Sequence, residues 1–109
     1  MDLVSPKRFE VYLVSLDPTV GAEIRKTRPC VVVSPDEANR HLQTVLVAPL
    51  TTTRRSFPSR VTLRFRVRDG DVALDQMRAV DAGRLVRRIG TVSSEAARRI
   101  TATLLEYFA

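Results

Sequence analysis

Between Arg60 and Arg68 the chain alternates without a break: Val61, Leu63, Phe65 and Val67 fall on one side, and Arg60, Thr62, Arg64, Arg66 and Arg68 on the other. A period of two is the repeat of a β-strand, and this pattern suits a strand with one face buried and one face wet. The chain must therefore build a sheet with a covered side. The Asp69-Gly70 pair that follows is a hairpin signal, and the returning strand or pair of strands is expected over Val72 to Val80.

The rest of the sequence supplies partners for that strand. Phe9 to Leu16 is rich in β-branched and aromatic residues and stops at Asp17-Pro18, which reads as a first strand and its turn. Asp17 to Pro29 has few apolar anchors and reads as a loop, long for a domain of this size. Cys30 to Val33 and Thr44 to Leu50 are apolar runs read as neighbouring buried strands, with Ser34-Pro35 opening a short helix through Asp36 to Arg40 between them. Arg54 to Ser59 reads as an exposed loop, Asp81 to Val86 as one helical turn, and Ile89 to Val92 as a last short strand. Ser93 or Ser94 caps a helix in which Ala97, Ile100, Leu104 and Phe108 recur at helical spacing. Five to seven short strands and one terminal helix predict an α+β fold that is mainly β. Its sheet is antiparallel and curled into a small barrel, as a single domain over 1–109.

Composition narrows the function. A chain of 109 residues, 44% hydrophobic and 28% charged, supports one folded core. Its net charge of +6 favours a polyanionic partner, nucleic acid before membrane. The basic residues are almost all Arg, whose planar fork suits phosphates and stacking on bases, although compositional bias explains the Arg content equally well. The single Cys30 leaves no disulfide framework or zinc knuckle and agrees with a reducing cytoplasm. Met1 to Lys7 lacks the apolar core of a signal peptide, and no apolar run approaches the roughly 18 residues of a membrane span. A cytoplasmic protein with no membrane contact is expected.

One histidine excludes a two-histidine ribonuclease site within one chain, and no HExxH or EF-hand spacing occurs. Asp69, Asp71 and Asp75 are close in sequence, but the first two flank a hairpin Gly, where acids serve the turn, so no metal or other cofactor is assigned. His41 reads as a solvated residue at a helix end and Cys30 as a buried small hydrophobe. What remains is the loop with Glu23, Arg25, Lys26 and Arg28, and the hydroxyl run Thr51 to Thr53, each beside an end of a central strand. If those strands pair antiparallel, Arg28 and Thr51 reach the same end of the sheet. Arg with Thr beside a carboxylate suits a phosphodiester site: the guanidinium holds the charge of a phosphorane-like transition state and the hydroxyl adds a hydrogen bond. Solubility accounts for the loop's charges about as well. The Arg stripe of Arg60 to Arg68 is explained by a solvated sheet face, and the basic loop before it, with Arg54, Arg55 and Phe57, by a polynucleotide track on which a base stacks.

The segment RFEVYLVSLDPTVGAEIRKTRPCVVVSPDEANRH, from Arg8 to His41, resembles the N-terminal signature of the MazF/PemK toxins, in which a GDVY-like strand leads into a DPxxGxExxKxRP-like loop. The resemblance continues through VLVAPLTT at Val45 to Thr52 and VALDQMRAVD at Val72 to Asp81. It implies an SH3-like curled barrel of the CcdB/PemK type and a homodimer. It also implies metal-independent cleavage of single-stranded RNA, messenger RNA included, at short preferred sequences, leaving 2′,3′-cyclic phosphate and 5′-hydroxyl ends. The family's principal catalytic positions fall on Arg28 and Thr51, with Glu23 the loop carboxylate and Gln76 lining the RNA groove. Lys26, Arg25, Thr52, Thr53, Arg54, Phe57 and Arg78 are the further expected RNA contacts. Phe9-Glu10 stands where the family has Gly-Asp; Glu10 keeps the charge, and Phe9 is expected to alter how RNA enters. Because a guanidinium is a poor proton acceptor near neutrality, the proton of the 2′-hydroxyl is left to Glu23, to water, or to an Arg28 made unusually acidic.

The resemblance also implies a cognate antitoxin with an acidic tail that covers the same basic groove. A gyrase poison of the CcdB type shares the barrel, yet its expected Trp-Gly-Ile terminus is absent: this chain ends Glu106-Tyr107-Phe108-Ala109 and has no Trp. A non-catalytic RNA- or peptide-binding barrel would have no need of Arg28 and Thr51 together.

Overall fold

Each β-branched run makes a strand, and the strands fold into one curled antiparallel sheet. The computed structural model describes residues 5–16 and 26–109. In chain order these form β1 (Glu10–Ser15), β2 (Thr27–Val32), α1 (Asp36–His41), β3 (Thr44–Thr51), β4 (Arg60–Phe65), β5 (Arg68–Ala73), β6 (Arg78–Asp81), β7 (Leu85–Thr91) and α2 (Ser94–Tyr107). Short 3-10 turns at Leu74–Gln76 and Ala82–Arg84 separate β5, β6 and β7. The neighbours run β4-β5-β3-β2-β1-β7, with β6 also on β3.

The curl originates in β3. On one edge its residues Val47 to Pro49 pair with β2, while on the other Thr44 to Val47 pair with β6 and Leu50 and Thr51 pair with β5. A strand that changes partner along its length bends the sheet at the change. The two ends of the sheet then meet through side chains: the Phe65 ring lies against Gly90, Arg66 donates to the Ile89 carbonyl, and Arg99 of α2 donates to the Thr62 carbonyl at 2.7 Å.

Two apolar clusters occupy the two faces. The larger contains Val11, Val31, Ala48, Val61, Leu63, Val72 and Leu74, and α2 closes it with Ala96 and Ile100. Removing the wholly buried Ile100 side chain down to Ala would cost about 2–5 kcal/mol by analogy with other cores. The smaller cluster is Val14, Cys30, Val32, Val45, Val47 and Val80. The α2 N-terminus is capped as its sequence predicts, Ser93 accepting from the Ala96 amide at 3.1 Å.

Several boundaries differ from expectation. The hairpin turns at Arg66-Val67, not at Asp69-Gly70, so Phe65 pairs with Arg68 and Val67 is 81% exposed instead of facing the core. Arg66 takes φ 59° to make that turn. Gly70 lies inside β5 for a different reason: a Cβ there would sit 2.8 Å from the Thr51 carbonyl oxygen, so only Gly lets β5 come this close to β3. The second strand starts at Thr27, which moves Arg28 from the expected loop into β2. The last strand starts at Leu85, earlier than expected. Ser34 does not cap α1; its hydroxyl donates to Asn39 Oδ1 and accepts from the Leu46 amide. Phe108 falls one residue beyond α2 and is 70% exposed, whereas Ala96 takes the buried place on the helix.

Candidate active site

Residues directly opposite one another in an antiparallel pair point to the same face. Arg28 pairs with Val14, Cys30 with Pro49 and Val32 with Val47, so Arg28 belongs to the face of the smaller cluster, opposite the face that α2 covers. Continuing the Cys30–Pro49 register by two residues sets Arg28 across from Thr51. Val47 also pairs with Arg78, which brings that guanidinium to the same face. Burial pushes the Cys30 thiol up to about 11, and Arg28 and Arg78 oppose that shift.

The row extends beyond β3. Thr51 pairs with Asp71, and Asp71 with Thr62, so Arg28, Thr51, Asp71 and Thr62 follow one another across β2, β3, β5 and β4. Thr51 Oγ1 accepts the Thr53 amide at 3.1 Å, which fixes its lone pairs inward and leaves its proton to donate. Asp71 is wholly buried; its carboxylate accepts the Arg55 amide at 3.0 Å and the Thr62 hydroxyl at 2.9 Å, and Arg54 Nε lies 3.8 Å away.

At the far end of this segment Phe57 is half exposed, with the Arg60 guanidinium 5.2 Å from its ring centroid. Arg60 is itself held by Asp75 through bonds of 2.7 and 3.2 Å, and Ser59 donates to the same carboxylate at 2.9 Å. The Arg60 bonds are the first cause of a lowered Asp75 pKa, and Ser59 adds to them; the same pairing raises Arg60. Phe57 is thus an aromatic surface backed on one side by a fixed cation. Beside Thr51 and Thr52, an apolar hollow of ~270 Å³ is lined among the described residues by Leu13, Pro29, Leu50, Phe65 and Ile89.

The structure brings Arg28, Thr51 and Arg78 to one face, followed by exposed Thr52, Thr53 and Arg54 on the segment that leads to Phe57. Lys26 is exposed just before β2, and Gln76 is exposed on the turn before Arg78. Glu23 and Arg25 lie outside the described residues. Phe9 packs against the larger cluster beside α2, on the face away from Arg28, and adopts φ 77° where the family resemblance expects Gly. Within the Arg stripe, Arg60 pairs with Asp75, Arg64 with Asp69, and Arg66 with the Ile89 carbonyl, so these side chains serve the sheet first. His41 is exposed beside Glu37 at 3.3 Å, the helix-end role its sequence suggests.

Asp71 and the apolar hollow are the parts that sequence reading misses. The sequence pattern assigns Asp71 to a hairpin turn, and only the shift of that turn to Arg66-Val67 reveals it as a buried strand residue facing Thr51 and Thr62.

The family profile of the PemK-like, MazF-like toxins of type II toxin–antitoxin systems matches residues 7–108. The chain is 33% identical over 100 residues to the endoribonuclease toxin MazF of Escherichia coli strain K12, a match that covers 91% of this chain and 90% of that one. Among solved structures it resembles an endoribonuclease from a mycobacterial species, with TM-score 0.79, 26% identity and coverage of 97% and 93% of the two chains. A mycobacterial endoribonuclease in complex with its cognate antitoxin is equally similar, with TM-score 0.79, 27% identity and 95% coverage of both chains. With the curled sheet and the terminal helix in place, the chain belongs to the PemK-like, MazF-like toxin family of type II toxin–antitoxin systems.

Proposed function

We propose that this chain is an endoribonuclease toxin that cleaves single-stranded RNA, messenger RNA included, at Arg28 and Thr51. The observation that carries the reading is the β2–β3 register, paired from Val32–Val47 to Cys30–Pro49, whose continuation by two residues would bring Arg28 opposite Thr51 at the head of a basic, Phe-bearing segment. The E. coli relative and the mycobacterial neighbours are endoribonucleases by name, which supports it. In the reaction the ribose 2′-oxygen bonds to the adjacent phosphorus and the bond from phosphorus to the 5′-oxygen breaks, leaving a 2′,3′-cyclic phosphate and a 5′-hydroxyl. Arg28 offers paired N–H donors to the non-bridging oxygens as charge grows there, and the Thr51 proton adds a third. Glu23 or water takes the 2′-proton, since a guanidinium ordinarily stays charged, and the departing 5′-oxygen takes a proton from water. Arg78, Gln76, Arg54, Thr52 and Thr53, with Lys26 and Arg25, hold neighbouring nucleotides. Phe57 stacks one base.

The same basic face suits the acidic tail of a cognate antitoxin, so that inhibitor and RNA exclude each other; a mycobacterial neighbour is seen with its antitoxin. The working form is a homodimer in the reducing cytoplasm. No described helix is long and apolar enough to cross a membrane.

The test is incubation of the purified protein with a long single-stranded RNA in excess EDTA, mapping the 5′ ends of the fragments. Discrete fragments with 5′-hydroxyl ends are expected, and they vanish with Arg28→Ala and with Thr51→Ala while circular dichroism is unchanged. Absence of cleavage by the folded wild type would remove the nuclease reading, and cleavage retained by both variants would remove the site.

A further inference from the structure

We propose that Asp71 is a positioning residue for RNA binding: it fixes the backbone of the Thr51-to-Arg55 segment so that Arg54 and Arg55 are presented to RNA phosphates next to Thr51. The inference rests on the nuclease reading and goes beyond it, because Asp71 touches no substrate.

A carboxylate with no exposed surface is an expensive way to fill a sheet position that an apolar residue of similar size would fill more stably. Its surroundings show what its two oxygens do. Asp71 sits opposite Thr51 on one side and Thr62 on the other, in the row that begins at Arg28. Thr62 donates to Oδ1 at 2.9 Å and anchors the carboxylate, so that Oδ2 takes the Arg55 amide at 3.0 Å. That bond reaches out of the regular sheet to the irregular segment beyond β3. Other ties on the segment include the Thr53 amide to Thr51 Oγ1 and, at its end, the Arg60 amide to the Phe57 carbonyl at 3.1 Å.

The side chains gain from this directly. Arg54 is half exposed, and its Nε lies 3.8 Å from Oδ1, too far for a hydrogen bond but close enough for the carboxylate to hold the guanidinium over the row. Its outer nitrogens stay available for phosphate. Arg55 is exposed, and its backbone amide is what Asp71 grips. Two guanidiniums fixed beside the cleavage position meet the RNA backbone with less ordering still to be done on binding.

The experiment measures binding of a fluorescein-labelled single-stranded RNA carrying 2′-O-methyl riboses, and kcat and KM on the same RNA with free 2′-hydroxyls, between 50 and 200 mM salt. Asp71→Ala is expected to raise Kd and KM about tenfold with kcat within about threefold, and to flatten the logarithmic salt slope by about 0.7 for each phosphate that is no longer neutralised. Asp71→Asn keeps an oxygen for the Arg55 amide and a polar group for Thr62 and loses only the longer-range hold on Arg54, so it is expected to restore most of both. In an Arg54→Ala, Arg55→Ala background the Asp71→Ala change should add nothing. Wild-type KM and slope in Asp71→Ala, no recovery in Asp71→Asn, or a full additional loss in the double-Arg background would each overturn the proposal. If Asp71→Ala does not fold, the exposed Arg pair carries the test, and an unchanged salt slope in its variant overturns the idea. A wild type that neither binds nor cuts RNA defeats the nuclease reading together with this one; a wild type that cuts, with Asp71 variants like it, defeats this one alone.

Discussion

Asp75 and Cys30 show how single side chains record their surroundings. The hydrogen bonds from Arg60, then that from Ser59, lower the Asp75 carboxyl in the folded chain, so on acidification the unfolded chain takes up the proton first. The resulting stabilisation is present above the ordinary carboxylate value of about 4 and is lost as pH falls toward the lowered folded value. Thermal melts of the wild type are expected to drop more steeply between about pH 5 and 3 than those of Asp75→Asn; parallel curves would count against the pairing. Cys30 titrates in the opposite direction: burial holds its thiol up to about 11, so the reactive thiolate is scarce near neutrality. An aromatic disulfide reagent at about pH 7.5 should label Cys30 only as fast as denaturant unfolds the chain. Rapid labelling of the native protein would mean that the β2 face is open.

At the level of elements, the sequence was most informative where local pattern and tertiary demand agree. Alternation from Arg60 to Phe65, the Ser93 cap and the short apolar runs all became the expected elements. The β4–β5 turn was not legible, because Asp-Gly outranks Arg-Val as turn chemistry, while long-range contacts chose otherwise. Phe65 packs on Gly90 and Arg66 reaches the Ile89 carbonyl, so tertiary contacts favour a turn that local preference disfavours. Arg28 and Thr51 could be paired from sequence because each flanks an apolar strand, whereas Asp71 draws on Thr62 and Arg55, partners that only the register brings together. Gly70→Ala tests the β3–β5 approach. Its methyl would meet the rigid Thr51 carbonyl at 2.8 Å, so it is expected to cost about 1–3 kcal/mol and to depress cleavage by moving Thr51. A melting temperature and kcat equal to wild type would show that the strands can part without consequence.

For the whole molecule, the two faces divide the labour: α2 seals one, and the other carries the basic row. The net charge of +6 is therefore not spread evenly in purpose. If Arg28, Arg54, Arg55 and Arg78 each neutralise a phosphate at about 0.7 in the logarithmic slope, RNA affinity should fall about 50-fold from 50 to 200 mM salt. A nearly flat dependence would show that charge does not drive binding. The seam where the curled sheet meets itself uses the same residue type for another purpose. Arg66 occupies the Ile89 carbonyl on β7, and Arg99 occupies the Thr62 carbonyl on β4, so on each terminal strand a guanidinium takes an acceptor that an incoming strand would need. One occupied acceptor on each margin disfavours the addition of a further strand there, so these two arginines work against the edge-to-edge stacking of neighbouring copies that begins a fibril.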